Sequence, residues 1–276
     1  MKIRAALTVL LALLLLLTGC AGAGTTEIAA ELEVHFFDAG KADAILLTTQ
    51  NSTVLIDTGE KGFGKTILET LEEKGIEHID VLIITHFDKD HVGGAAKVLK
   101  GINVDTVLQS NQPKDSTEYE NYLAALADTG ITPITVRETY SFVLDGVSYC
   151  VDPPRQTEYQ ADSSNNSSLI VTVQHGENRF LLAGDAQTQR LEEFLSTNPG
   201  VCDVLKVPHH GKEEPLLEEL LSVTRPAYAV ITSSDQEPES AGVTAALEEA
   251  GVGVLLTREG AVTFSSDGQT ITAKQT

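Results

Sequence analysis

The sequence predicts a mixed α/β (α+β) protein built as four layers, helix–sheet–sheet–helix. Three observations lead there. The chain has 276 residues, 42% of them hydrophobic, which is enough for a substantial core. Short runs rich in Val, Ile, Leu and Phe recur along it, separated by polar turns and by segments of helical spacing. The second half repeats the plan of the first with no linker between them, so two sheets bury faces on each other and carry helices outside.

The elements follow in order. Residues 32–37, 44–49 and 53–56 read as strands, and 64–74 as a helix with Ile67, Leu68 and Leu71 on one face and Gly75 as its stop. A fully apolar strand at 81–84 precedes a helix at 92–99, a strand at 104–109 and a helix at 116–128. In the second half, strands are expected at 142–144, 147–151, 169–174 and 179–183, then a helix at 187–196. Strand 204–207, helix 215–222, strand 227–232, helix 243–250 and strands 254–256, 261–264 and 270–273 complete the pattern. Residues 152–168, rich in Pro, Ser, Asn and Gln, form the longest polar stretch and read as a loop.

The first residues read as an address. Lys2 and Arg4 precede an apolar run at 5–17 whose only polar residue is Thr8, a length that suits a signal-peptide core. It ends in Leu17-Thr18-Gly19-Cys20, which resembles a bacterial lipobox and implies cleavage before Cys20 with lipidation of its thiol. The alternative is an ordinary signal peptide with a chance cysteine. On the lipobox reading, 1–19 is a lipoprotein signal peptide, 20–31 a tether and 32–276 the folded domain. The protein would sit on the extracytoplasmic face of a bacterial cell membrane through a lipid anchor at Cys20. Cys150 and Cys202 read equally as two buried thiols or as a disulfide.

Nineteen Lys and Arg stand against 40 Asp and Glu, a formal charge of -21. This excludes a broadly basic nucleic-acid-binding protein but not a nuclease with a small basic rim around its site.

The chemistry concentrates in Thr85-His86-Phe87-Asp88-Lys89-Asp90-His91-Val92-Gly93-Gly94, where four potential metal ligands fall within six residues after an apolar strand. A strand end delivers side chains into a crevice, and Gly93 and Gly94 permit close backbone approach. Three shorter motifs also close apolar strands: Leu55-Ile56-Asp57-Thr58-Gly59, Leu181-Leu182-Ala183-Gly184-Asp185 and Lys206-Val207-Pro208-His209-His210-Gly211.

In this order the motifs resemble the metallo-β-lactamase fold superfamily, and more closely the hydrolase-like domain of the ComEC competence proteins. Phe37-Asp38-Ala39-Gly40-Lys41-Ala42-Asp43-Ala44, Asn165-Asn166-Ser167-Ser168-Leu169-Ile170 and His209-His210-Gly211 fit the latter. The resemblance covers about residues 32–275 and implies a metallo-β-lactamase-like αββα sandwich. It assigns His86 and Asp88 to a first metal, and Asp90, His91 and His209 to a second. Asp185 bridges the two, and Asp90 and Asp185 are the catalytic carboxylates. Asp57 orients the ligands from behind. His210 is the alternative to His209, or a substrate contact. Asn165 stands near a third motif where many members have His, which leaves the first site loose, with His175 as a possible substitute. His35 and His78 read as structural.

Carboxylates and imidazoles suit two divalent ions, Zn or Mn, with a metal-bound hydroxide as nucleophile. Lys41, Lys89, Lys206 and Lys212 lie in or beside the motifs and would give a locally positive rim. The expected substrate is therefore a phosphodiester, small-molecule or nucleic acid, with no obligate protein partner. The alternatives are a hydrolase of another small ester or lactone, or a lipid-anchored binding module with an inactive metal site. The motif set leans away from β-lactam hydrolysis, and no channel region accompanies the domain, so DNA uptake itself is not implied.

Overall fold

The computed structural model describes residues 31–276. The leader, Cys20 and all but the last residue of the tether lie outside the described residues. The first half runs β1 (Leu32–Phe36), β2 (Ile45–Thr48), β3 (Thr53–Ile56), α1 (Phe63–Glu73), β4 (His78–Ile84), α2 (Lys89–Val92), α3 (Ala95–Gly101), β5 (Asn103–Gln109), α4 (Thr117–Thr129) and β6 (Ile134–Thr135). The second half runs β7 (Tyr140–Leu144), β8 (Val147–Asp152), α5 (Ser163–Asn166), β9 (Ile170–His175), β10 (Asn178–Leu182), α6 (Thr188–Leu195), β11 (Val204–Lys206), a 3-10 turn at Pro208–Gly211, α7 (Leu217–Thr224), β12 (Tyr228–Ile231), α8 (Ala241–Glu249) and β13 (Gly253–Leu256). Two last strands, β14 (Val262–Ser266) and β15 (Ile271–Gln275), return to the first sheet and pair beside β1.

Every strand read from the sequence is present, β3 with the same ends and most others with shifted ones, and each helix but one is present as a single element. The expected helix at 92–99 is instead two helices, α2 and α3, broken at Gly93-Gly94. The polar stretch 152–168 contains the short helix α5, and β6 is two residues long, too short to show a period.

The eight-stranded sheet has the order β15-β14-β1-β2-β3-β4-β5-β6, and the seven-stranded sheet β13-β12-β11-β10-β9-β8-β7. Each contains an antiparallel meander that turns parallel: β3, β4, β5 and β6 in the first, β10, β11, β12 and β13 in the second. Alternation along each strand decides what faces what. In β1, Leu32, Val34 and Phe36 point between the sheets, where they meet Val171, Val173 and Phe180 in one buried core. On the opposite faces, Leu55, Leu82 and Ile84 pack under α1, α3 and α4, and Leu181, Leu205 and Ile231 under α6, α7 and α8. Three apolar layers thus separate four structural ones, and each fully buried Leu, Ile or Phe contributes about 1.5–3 kcal/mol.

No helix among the described residues is long and apolar enough to cross a membrane. Cys150 and Cys202 are free thiols, and burial pushes the Cys202 thiol up to about 12.

Candidate metal centre

The centre forms where parallel strands of both sheets end. Asp57 follows β3, Thr85 and His86 follow β4, Asp185 follows β10, and His210 lies in the turn after β11. In open α/β sheets such carboxyl-end crevices are where ligands bind. Two of these residues, and His209 beside them, turn the chain sharply. Asp57, His209 and His210 have φ of 56°, 48° and 52°, in the left-handed region that costs a non-glycine residue about 1–3 kcal/mol. Such strain persists only where surrounding contacts impose it, and here they do. The Asp57 carboxylate accepts from the Thr85 amide at 2.8 Å and the Thr85 hydroxyl at 2.6 Å. The His210 Nδ1 donates to the Thr232 carbonyl at 2.9 Å.

Gly93 and Gly94 let the His86–His91 loop pack onto the turn after β3. A Cβ on Gly94 would come within 2.3 Å of the Thr58 carbonyl. That close seat allows Thr58 to bond the His91 carbonyl through both its amide, at 2.7 Å, and its hydroxyl, at 2.8 Å.

Asp90, His91, Asp185 and His210 are all buried and bring their ligand atoms within 4.8 Å of one another. His91 Nε2 lies 3.3 Å, and His210 Nε2 3.1 Å, from Asp185 Oδ2. The rings do not aim an N–H at that oxygen, and the buried Nε2 atoms of His86, His91 and His210 are left without a hydrogen-bond partner. The other nitrogen of each clustered ring is fixed. His91 Nδ1 faces the Asp57 carboxylate at 2.8 Å, and His210 Nδ1 faces the Thr232 carbonyl. Both partners accept only, so each ring keeps a proton on Nδ1, and Nε2 is the nitrogen that a cation would claim on displacing its proton. Two carboxylates and two imidazoles converging on one point, with their outer nitrogens held, form a donor set that fits a divalent cation.

The electrostatics agree. Burial opposes charge on Asp185, but His210, His91 and Lys206 outweigh it and hold its carboxyl well below the usual range. Burial likewise opposes charge on His91 and His210, and the facing carboxylates, Asp185 foremost, raise both. The pocket draws positive charge onto its own imidazoles. His86, whose ring centroid is 4.0 Å from that of His91, is the exception: burial, reinforced by His91, holds it down to about 4, so it stays neutral.

His86 and Asp88 stand at the side of this cluster. His86 Nδ1 lies 3.2 Å from the Thr85 hydroxyl and 3.4 Å from that of Ser168. Asp88 Oδ1 is 3.9 Å from His86 Nε2 and is itself engaged by the Lys114 ammonium and the Ser164 hydroxyl.

Several expectations change. His210, not His209, joins Asp90, His91 and Asp185, because the left-handed turn points consecutive rings in different directions; His209 is half-buried, with Nε2 3.3 Å from Asn165 Nδ2. Asn165 sits on α5 and also donates to Gln187 at 3.1 Å. His175 lies at the far end of β9 from Ser168, against the Ser266 hydroxyl at 2.8 Å, so it does not substitute for a third-motif ligand. Lys206 is no part of a rim: it is fully buried, 2.5 Å from Asp43 Oδ2 and 3.5 Å from Asp185 Oδ1. Lys89 points outward to Glu60, and Lys212 lies 3.4 Å from the Pro238 carbonyl. Lys41 alone of the four reaches the cluster from its half-buried mouth, 3.1 Å from Asp90 Oδ2.

Sequence reasoning gave no role to Asp43, Lys114, Ser168 or Arg190. Asp43 lies in the Phe37–Ala44 signature, and its place beside a strand end was the available signal. Arg190 is fully buried and joins the Ser168 carbonyl at 2.9 Å to the Asp152 carboxylate at 2.7 Å, fixing the loop that carries Asn165. Nothing in the spacing on α6 announces that.

Residues 37–233 match the metallo-beta-lactamase superfamily. ComE operon protein 3 of Bacillus subtilis is 30% identical over 229 residues, 75% of this chain and 29% of that protein. Recombination protein 2 of Haemophilus influenzae is 31% identical over 212 residues, 75% of this chain and 25% of that protein. The chain therefore spans less than about a third of the length of either relative. Among solved structures, the metallo-beta-lactamase fold protein YhfI from Bacillus subtilis superposes with a TM-score of 0.57 at 10% identity, covering 89% of this chain and 100% of that one, a likeness of fold. The resemblance drawn from the motifs is borne out.

Proposed function

The chain belongs to the metallo-beta-lactamase superfamily, and from that premise we propose that it is a metal-dependent hydrolase of phosphodiesters. The observation that carries the proposal is the buried cluster of Asp90, His91, Asp185 and His210, with imidazole nitrogens aimed inward and left without partners. Zn or Mn bound there supplies Lewis acidity and a nucleophilic water at neutral pH. The chain does the rest. Asp57 and Thr232 hold His91 and His210 in one tautomer. Lys206 and Ser168 fix Asp185 from behind, the latter accepting its backbone amide at 3.1 Å. Lys41, His209 and Asn165 stand at the half-buried mouth, where they suit an anionic substrate oxygen.

A phosphodiester fits a mouth with Lys41 and Lys114 facing ligand carboxylates better than a neutral amide does. One relative's name, Recombination protein 2, belongs to a process on DNA, which supports a nucleic-acid substrate. The acidic surface slows approach of long nucleic acid, most strongly at low salt. The neutral Asn165 and the engagement of Asp88 by Lys114 favour a second reading, a binding module with a metal but no turnover. We place the protein at the extracytoplasmic face of a bacterial membrane, held by lipid on Cys20.

Metal analysis of the full chain, with hydrolysis of a generic phosphodiester and of single-stranded DNA in Mn and in Zn, tests the function. Bound metal with turnover supports the hydrolase. Bound metal without turnover on phosphodiesters, lactones or thioesters supports the binding module. Cys20→Ala should release the protein from membranes with activity intact, and a variant that stays membrane-bound with its leader cleaved would overturn the lipid anchor.

A further inference from the structure

The two cation positions expected of this centre are unequal in the structure. On one side Asp90, His91, Asp185 and His210 supply four donors, all buried. On the other, the residues assigned to the centre are His86 and Asp88 beside the shared Asp185, while Asn165 turns to Gln187 and His209. Of the Asp88 oxygens, Oδ1 is the one 3.9 Å from His86 Nε2. That same atom receives both the Lys114 ammonium and the Ser164 hydroxyl, and Lys114 and Ser164 are themselves 3.2 Å apart.

We propose that Lys114 is a built-in competitor for the second cation, its ammonium holding Asp88 Oδ1 until a divalent ion displaces it. This rests on the metal-centre reading above and deepens it. A lysine differs here from a rim charge: its side chain is 34% exposed, so it can leave for solvent, while Asp88 at 25% cannot follow it far. An ion filling the His86 side must separate the pair and accept the nearby positive charge, or push it away. Binding therefore proceeds in two steps, tight at the four-donor side and weaker at the His86 side. The released ammonium then lies at the mouth, free to meet an anionic substrate oxygen.

Calorimetric titration of the full chain with Mn(II) or Zn(II) tests this without any turnover. Two resolved steps are expected. Lys114→Met should tighten the second on the order of tenfold and leave the first unchanged, because the ion no longer breaks a partly exposed pair or opposes a like charge. Ser164→Ala should move the second step the same way by less. Lys100→Met, which removes an exposed lysine paired to Asp128, should change neither step. Two equal steps in the unaltered chain, or a second step indifferent to Lys114→Met, would overturn the competitor. No binding step at all would overturn the metal-centre reading and the competitor with it.

Discussion

His91 Nδ1 lies 2.8 Å from Asp57 Oδ2, and the same carboxylate takes the amide and the hydroxyl of Thr85. One buried side chain thus sets the ring of a proposed ligand and the end of the strand that carries His86. Asp57→Ala should lower metal affinity by about 10–100-fold, the usual cost of losing a partner behind a ligating histidine. It should also destabilise the fold by about 1–3 kcal/mol for each buried donor left unsatisfied. Metal titration and chemical denaturation read the two effects separately. Asp57→Asn tolerates the left-handed backbone, so it should keep most of the stability and lose most of the affinity.

Metal binding should release protons. His91 and His210 are raised above the ordinary histidine value of about 6.5 by Asp185 and its neighbours, and each must give up a proton to become a ligand. Affinity should therefore rise with pH through the neutral range. Calorimetry in buffers of different ionisation enthalpy would show it; a heat independent of buffer would refute it. The metal-free fold has the opposite slope. A raised histidine pKa contributes stability that is fully present below about pH 6.5 and lost as pH climbs through the raised value. Metal-free protein should thus melt earlier at alkaline pH, and added metal should cancel the difference.

Lys206 and Asp43 form a fully buried ion pair 2.5 Å apart. Lys206→Met alone takes from Asp43 its nearest counter-charge, leaving only His210 and His91 at 3.5 and 3.9 Å beside Asp185, and should cost about 3–5 kcal/mol. Asp43 also accepts from the Thr232 hydroxyl at 2.6 Å, so the double variant Asp43→Asn, Lys206→Met should recover part of that loss. Denaturation of the two single variants and the double one measures the coupling. Additive losses would show that the pair does not act as a unit.

Gly94→Ala should destabilise by about 1–3 kcal/mol, as overpacking does. Its Cβ would meet backbone at the Thr58 carbonyl, which has no rotamer to escape into. The displaced turn carries Asp57, so metal affinity should fall as well.

The architecture was legible because apolar runs and helical faces read locally. β3 at Thr53–Ile56 coincides with its sequence reading, and both halves show the repeated plan. The donors on strand ends were legible for the same reason: Asp57, His86, Asp90, His91 and Asp185 each close or follow an apolar strand. What failed depends on torsion and distance. His209 and His210 are adjacent and alike in sequence, and only their left-handed turn decides which ring enters the cluster. Lys206 looked like a rim charge because its partner Asp43 is remote in the chain. Lys114 sits in a loop before α4 with no motif around it, and its tie to Asp88 exists only after folding.

The donors come from both sheets: His86 to His91 from the loop after β4, Asp185 and His210 from the ends of β10 and β11. Neither half of the chain carries the full set. During synthesis the first half therefore emerges with an incomplete centre, and the set closes only once β11 has docked beside β10. An ion held by all four donors therefore requires both sheets to have met, so occupancy of the site reports the packing of one half of the chain against the other.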